Sequence, residues 1–447
     1  MRFILDVFYS LLGLAFCPVV LYRRIRHGRY RQGWAQRFGK IERRTDSEKC
    51  IWLHAVSVGE VNAAKTLLAE LEKQFRDFEI VVSTTTDTGF ARASKLFGET
   101  HSVFYFPFDF SWVVRRAFRR VNPAVCLLME LEVWPNFVFT ARRRDVPVVV
   151  VNGRISDKSF AQYRRIRRLT RLFFGKIDLV LAQTEEYADR FRQLGCPSER
   201  VVVTNSLKYD TAQITDRIDG ADALAETLDL ADARLWVAGG TGPDEEKIIL
   251  DAYKSLVEET QFADLRLAVV PRKPERFNEV AQLIEQMGFP LVRYSRLKGT
   301  ADRPPADSRA VILGDTMGDL RKFYSLATIV FVGRSLVPMG GSDMMEAAAL
   351  GKCTLFGPHA FNFRQTVEAL LAQQGAIEVA DGNALLHTLR KCLAEPDHAG
   401  EVAGRGRQVI RDNQGATART IQHIAGLLKA ERPGGARDSG AAETSSS

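Results

Sequence analysis

Short apolar runs alternate along the chain with longer stretches whose apolar residues recur every three to four positions. That alternation predicts a parallel sheet with crossover helices, repeated twice, and hence an α/β fold of two doubly wound domains. In the first half the runs predict strands at Ile51–His54, Glu79–Ser83, Val125–Met129, Val146–Asn152, Leu179–Ala182 and Val201–Thr204. In the second half they predict strands at Leu235–Gly239, Leu265–Val270, Ala310–Leu313, Ile329–Val332 and Thr354–Phe356. Val61, Ala64, Leu67, Leu68, Leu71 and Phe75 share one face of a helix predicted over Glu60–Phe75. Residues 209–225 carry no strand pattern and are expected to link a domain over 23–208 to one over 226–431. Residues 432–447, rich in Gly, Ala and Ser, are expected to form a disordered tail. In such open sheets ligands are expected where the C-terminal ends of the strands point.

The amino-terminal stretch departs from this alternation. Val7–Tyr22 is uncharged, and with Phe3–Leu5 across Asp6 it approaches the ~20 residues of a spanning helix. Nine Lys/Arg against one acid follow in residues 23–44, the reverse of a secretory signal. The expectation is a membrane anchor over 1–22, spanning or interfacial, with everything after Tyr22 on the cytoplasmic side. Asp6, Ser10 and Pro18 also permit an amphipathic or buried helix.

Charge sharpens this picture. The net charge is +8, yet residues 1–205 hold 34 Lys+Arg against 21 Asp+Glu, so the excess lies in the first half. Such a half suits an anionic partner. The basic stretches Arg23–Arg44, Arg115–Arg120, Arg142–Arg144 and Arg164–Arg171 could meet an anionic membrane surface at ~1 kcal/mol per residue, or be solvated helix faces. Six cysteines without a C-x-x-C pair point to a reduced compartment, and the histidine spacing contains no metal signature. The lack of G-x-G-x-x-G, Walker A and D-x-D motifs argues against a nicotinamide cofactor, a P-loop and a metal-dependent sugar transfer.

Candidate chemistry falls at strand-to-helix junctions. Glu60 ends His54-Ala-Val-Ser-Val-Gly-Glu60, where Gly59 would allow a tight turn and the helix N-terminus would favour an ionised general base. Its alternative is simple complementation of the helix dipole. Glu130 and Glu132, two residues apart on an extended chain, could bind a metal, hold a hydroxyl, orient a cation or form an ion pair. Lys208, just past a strand, could meet a leaving phosphate, or be an ordinary solvent-exposed lysine. In the second half Arg272 could grip phosphate, while Gly340-Gly341 before Ser342–Glu346 could expose backbone N–H groups to a nucleotide. Asp343 and Glu346 also fit an ordinary capping box.

HAVSVGE (54–60), MELEVWPN (129–136), NGRISDKSF (152–160), PRKPERF (271–277), the Gly-Gly…Glu346 loop and GPHAFNF (357–363), in this order, resemble the motifs of the 3-deoxy-D-manno-octulosonic acid (Kdo) transferase family, over residues 1–430. The resemblance implies a GT-B fold, with an N-terminal acceptor domain and a C-terminal donor domain. It implies transfer of Kdo from CMP-Kdo to a lipid A precursor, with inversion and without metal or other cofactor, and no nucleic-acid partner. Glu60 matches the general base, and Glu130 and Lys208 the transition-state stabilisers. Pro271, Arg272, Met317, Gly318, Asp319, Asp343, Met344, Met345 and Glu346 match the CMP-contacting segments. The chain departs from the usual family residues at Asn205-Ser206, Gly242, Lys273, Asp319 and Ser342–Met345. Two rivals remain: a GT-B transferase using a UDP-sugar and another lipid acceptor, and a non-catalytic membrane-bound polyanion-binding module.

Overall fold

The computed structural model describes residues 2–27, 32–43, 49–230, 233–300 and 309–429. Its chain divides into two units, Met1–Thr211 with Gly415–Ser447, and Ala212–Gln414. Each is a seven-stranded sheet in which every pairing is parallel.

The first unit contains β1 (Lys49–His54), β2 (Phe78–Thr84), β3 (Ser102–Tyr105), β4 (Val125–Met129), β5 (Val148–Gly153), β6 (Leu179–Ala182) and β7 (Val201–Val203). Their order is β3-β2-β1-β4-β5-β6-β7, so β1 and β4 lie at the topological switch. Successive residues of β1 serve opposite faces, as the pleat requires. Ile51 and Leu53 join the helix Val58–Gln74 through Ala64, Leu67 and Leu71. Cys50 and Trp52 face the other side, where Trp52 lies among Phe104, Phe106, Phe118 and Phe137 with ring centroids 5.1–6.0 Å apart. Both faces are covered, which explains why β4 reads as an unbroken apolar run.

The second unit contains β8 (Arg234–Thr241), β9 (Leu265–Pro271), β10 (Leu291–Arg293), β11 (Val311–Leu313), β12 (Ile329–Val332), β13 (Cys353–Phe356) and β14 (Ile377–Glu378). Their order is β10-β11-β9-β8-β12-β13-β14. One core of this unit joins Trp236, Leu267, Phe331 and Leu355 to Tyr253 and Leu256 of the helix Glu245–Val257.

Two boundaries differ from the sequence expectation. The 209–225 segment holds a short turn at Tyr209–Thr211 and the start of a helix, Ala221–Leu228, and the units divide at Thr211/Ala212. The last helix, Ala416–Lys429, placed by sequence in the second domain, belongs to the first unit. Its Ala416, Ile421 and Ile424 are buried in the same core as Leu67 and Leu71. Asp210 fastens it there by accepting from the N–H groups of Gly415 and Thr417 at 2.7 and 2.5 Å. The 432–447 tail lies outside the described residues.

The spanning form of the anchor is also corrected. A helix does cover Arg2–His27, but no helix among the described residues is long and apolar enough to cross a membrane. Asp6 interrupts the apolar run and is engaged with the protein. It accepts from the Ser111 N–H at 2.8 Å, the Ser111 hydroxyl at 2.5 Å and Asn136 Nδ2 at 3.2 Å. Tyr9 donates to Asp109 at 3.0 Å. Phe3, Phe8, Leu11 and Leu14 are exposed on the same helix.

Candidate active site

In the first unit, β1 ends at His54 and the helix Val58–Gln74 begins four residues later. Ser57 caps that helix: its hydroxyl accepts from the Glu60 N–H at 3.4 Å and donates to Glu60 Oε1 at 2.9 Å. Glu60 Oε2 accepts from the Val56 N–H at 2.9 Å. The carboxylate is therefore positioned by its own turn, and no arginine or lysine pairs with it among the described residues. Gly59 lies inside the first helical turn with a conformation open to other residues, and a Cβ there would meet only Ser57 Oγ at 3.8 Å. The tight turn expected of it is not what shapes this junction.

Glu60 titrates in the direction opposite to the helix-dipole expectation. Burial, with the charges of Glu130 and Glu132, outweighs the bonds from Val56 and Ser57 and raises it to about 7. β4 delivers these two neighbours. Glu130 is not extended: at φ 53° it turns the chain out of β4 while its N–H still donates to Val151 O at 2.9 Å. Glu132 is raised as well, by burial and by Glu130, and it accepts from Trp134 Nε1 at 3.0 Å. The structure thus gathers Glu60, Glu130 and Glu132.

His54 is a member of this group that sequence reasoning passed over, although it opens the HAVSVGE segment. Its ring is buried, stacks on Phe106 at 3.7 Å, and is pulled down to about 3 by desolvation, so it is neutral at physiological pH. With Nδ1 3.0 Å from Ser83 O, the proton is assigned to Nδ1. Nε2 then faces Glu132 Oε2 at 4.0 Å as a lone pair, which gives that carboxylate no counter-charge.

Lys208 follows β7 in a turn latched by a second residue that sequence reasoning did not single out. Asn152, buried at the end of β5, accepts from the Leu207 N–H at 3.0 Å through Oδ1. Both Asn152 and Asn205 adopt left-handed backbone, at φ 56° and 68°. Lys208 is half-buried and meets no carboxylate within ion-pair distance among the described residues.

In the second unit the residues expected to contact a nucleotide do not all stand alike. Pro271 ends β9, and Arg272 is exposed beyond it with its N–H on Thr241 O at 3.1 Å. Glu346 is raised by burial and by Asp343, with Arg321 and Arg272 pulling the other way, so these four side chains share one neighbourhood. Tyr324 joins them: its buried hydroxyl feels Glu346, Asp343 and Arg272 and has no hydrogen-bond partner among the described residues. Met317 is 72% exposed, and Gly318 has φ 91°.

Asp319, Met344 and Met345 are structural in their side chains. Asp319 is buried against Lys298 Nζ at 2.6 Å, Lys322 Nζ at 2.9 Å and Thr316 Oγ1 at 2.7 Å, which hold it down at about 2. Met344 and Met345 are buried core residues, so only their backbone is open to a ligand role. Asp343 Oδ1 accepts from the Met345 N–H at 2.9 Å, a tighter turn than the expected capping box with Glu346.

The Gly340-Gly341 loop is held from beneath by Glu245, a residue that no motif or spacing marks out. This fully buried carboxylate accepts from the N–H groups of Arg334, Ser335 and Leu336 at 2.5–2.9 Å. Arg334 in turn accepts from the Gly341 N–H at 2.8 Å, and Ser342 Oγ donates to Gly240 O at 3.0 Å.

Each unit alone is a Rossmann-like parallel sheet with its polar residues on loops at the C-terminal strand ends. Among solved structures, a Rickettsia africae glycosyltransferase matches with TM-score 0.55 at 12% identity, over 86% of this chain and 100% of that one. The S. aureus MnaA–UDP co-structure matches with TM-score 0.53 at 16% identity, over 86% and 99%. The fold is that of the GT-B class. The family model for 3-deoxy-D-manno-octulosonic-acid transferase (kdotransferase) matches residues 32–211. The chain is 33% identical over 428 residues to the 3-deoxy-D-manno-octulosonic acid transferase of Haemophilus influenzae, covering 94% of this chain and 97% of that one. To the corresponding transferase of Bordetella pertussis it is 32% identical over 429 residues, covering 93% and 97%. The chain belongs to the 3-deoxy-D-manno-octulosonic acid transferase family and is a glycosyltransferase.

Proposed function

We propose that the protein transfers Kdo from CMP-Kdo to a lipid A precursor in lipopolysaccharide biosynthesis, at the cytoplasmic face of the inner membrane. Glu60 is the general base, removing the proton from an acceptor hydroxyl as that oxygen attacks the anomeric carbon of Kdo with inversion. The single observation that carries this role is a positioned carboxylate raised to about 7, where a base is half-ionised at working pH. Glu130 and Lys208 stabilise the transition state. Arg272 meets the phosphate of departing CMP, while Pro271, the 317–319 turn and the 343–346 backbone line the nucleotide and Glu346 accepts from its ribose. Lysine and arginine supply the charge that a metal would otherwise supply, and the reaction proceeds without one. The N-terminal helix serves as an interfacial anchor, its Asp6 and Tyr9 turned to the protein and its exposed Phe3, Phe8, Leu11 and Leu14 to lipid.

The test is CMP release from CMP-Kdo with a tetraacylated lipid A precursor, with the product lipid weighed. Glu60→Gln is expected to lose at least about a hundredfold in kcat while CMP still binds, and turnover close to the wild-type rate would remove Glu60 from the mechanism. Chelator is expected to leave the rate unchanged. Inhibition reversed by added divalent ion would reinstate a metal.

A further inference from the structure

Away from these residues, the first unit has an open cavity of about 320 Å³ lined by Trp112, Arg115, Arg119, Thr140, Arg143 and Arg144. Four of the six are arginines, contributed by the helix Ser111–Val121 and by the end of the helix Pro135–Arg143. None of the four lies within ion-pair distance of a carboxylate among the described residues. Desolvation, together with the Arg119 charge, pulls Arg144 below its usual value, so the cluster repels itself. Four exposed guanidinium groups with no carboxylate beside them raise the positive potential around the cavity and attract an anion to it.

The location separates this cavity from the candidate active site. Glu60 and Glu130 stand where strands end. Arg119 lies in the last turn of its helix, and Arg143 and Arg144 shortly precede the first residue of β5, toward the opposite edge of the same parallel sheet. The cavity is also tied to the N-terminal helix. Asp6 accepts from the N–H of Ser111, one turn before Arg115, and Arg115 Nε donates to Ser111 O at 3.1 Å. At its rim Trp112 is 44% exposed, an amphipathic ring of the kind that settles at a bilayer interface.

We infer that this four-arginine cavity binds the phosphate of an anionic phospholipid headgroup, next to the helix that lies on the membrane. The inference rests on the interfacial reading of that helix and deepens it. It adds a defined headgroup site to a generally basic surface, and it does not depend on which sugar is transferred. Guanidinium forks give the phosphate bidentate hydrogen bonds, and Trp112 takes the glycerol region.

The test is sedimentation of the full-length protein with vesicles of phosphatidylcholine alone or with a third phosphatidylglycerol. Near an anionic surface each arginine is worth ~1 kcal/mol, about fivefold, so Arg119→Gln with Arg144→Gln is expected to weaken binding to the anionic vesicles roughly 25-fold. Binding to phosphatidylcholine should stay unchanged. The charge-matched pair Lys254→Gln with Lys391→Gln, in the second unit, is expected to weaken anionic binding by less than about threefold. Equal losses from the two pairs, or no loss from the arginine pair, would overturn the site. Full displacement from anionic vesicles by inorganic phosphate at constant ionic strength, at a concentration on the order of 10 mM, would assign the site to a free anion and overturn the lipid. Phe8→Ser with Leu11→Ser is expected to reduce binding to both vesicle types, so failure of the helix reading is told apart from failure of the cavity.

Discussion

Burial raises Glu60, two neighbouring carboxylates add to the rise, and two hydrogen bonds of 2.9 Å oppose it, so its titration follows from that balance. A base must be ionised to act, so kcat is expected to fall about tenfold per pH unit below about 7 and to level above it. Stability should run the other way. The folded carboxyl holds its proton more tightly than the unfolded one, whose ordinary value is 4.5, so ionisation penalises the folded state increasingly from there to about pH 7. Glu60→Gln is therefore expected to unfold later than wild type in urea at about pH 8, by on the order of 2 kcal/mol, and equally at about pH 4. A variant less stable at the higher pH would show that the hydrogen bonds prevail over burial and repulsion together. Glu245 is the opposite case, a buried carboxylate that satisfies three successive backbone donors. Glu245→Ala would strand them, and urea unfolding of the second unit should register a loss of about 3 kcal/mol or more.

Helices and strands differed in how clearly the sequence announced them. Strands buried on both faces, such as β4 and β12, were legible as unbroken apolar runs. The expectation missed β3, β10 and β14, edge strands of two to four residues whose half-exposed positions carry no pattern. Glu130 misled for a local reason. Its left-handed conformation follows from the need to leave β4 abruptly, which residue spacing cannot reveal. The first helix was legible as an element, while its docking was not, because Asp6 serves a helix far along the chain. The helix Ser111–Val121 has no side-chain cap of its own, since Phe110 occupies that position, and Asp6 accepts its first N–H instead. Asp6→Ala is expected to cost the first unit about 1–2 kcal/mol and to expose the N-terminal helix to protease. Limited proteolysis beside a urea titration measures both.

The two-unit organisation was readable in the sequence because the strand pattern restarts after residue 225. Which unit owns the last helix was not, since its apolar spacing fits either sheet. Ownership is set by Ala416, Ile421 and Ile424 in the core beside Leu67, and by Asp210. Ending the chain at Asn413 is expected to accelerate hydrogen exchange throughout the first unit, by several kcal/mol of lost burial, and to leave the helix Glu245–Val257 protected as before.

That returning helix also governs the order in which the protein can be completed on the ribosome. A nascent chain that has reached Gln414 carries every strand of both sheets, yet the earlier-made unit still lacks part of its own interior. The unit begun first is thus the last to have all of its residues, and the flank of Val58–Gln74 that awaits Ile421 and Ile424 stays uncovered until those residues have been made.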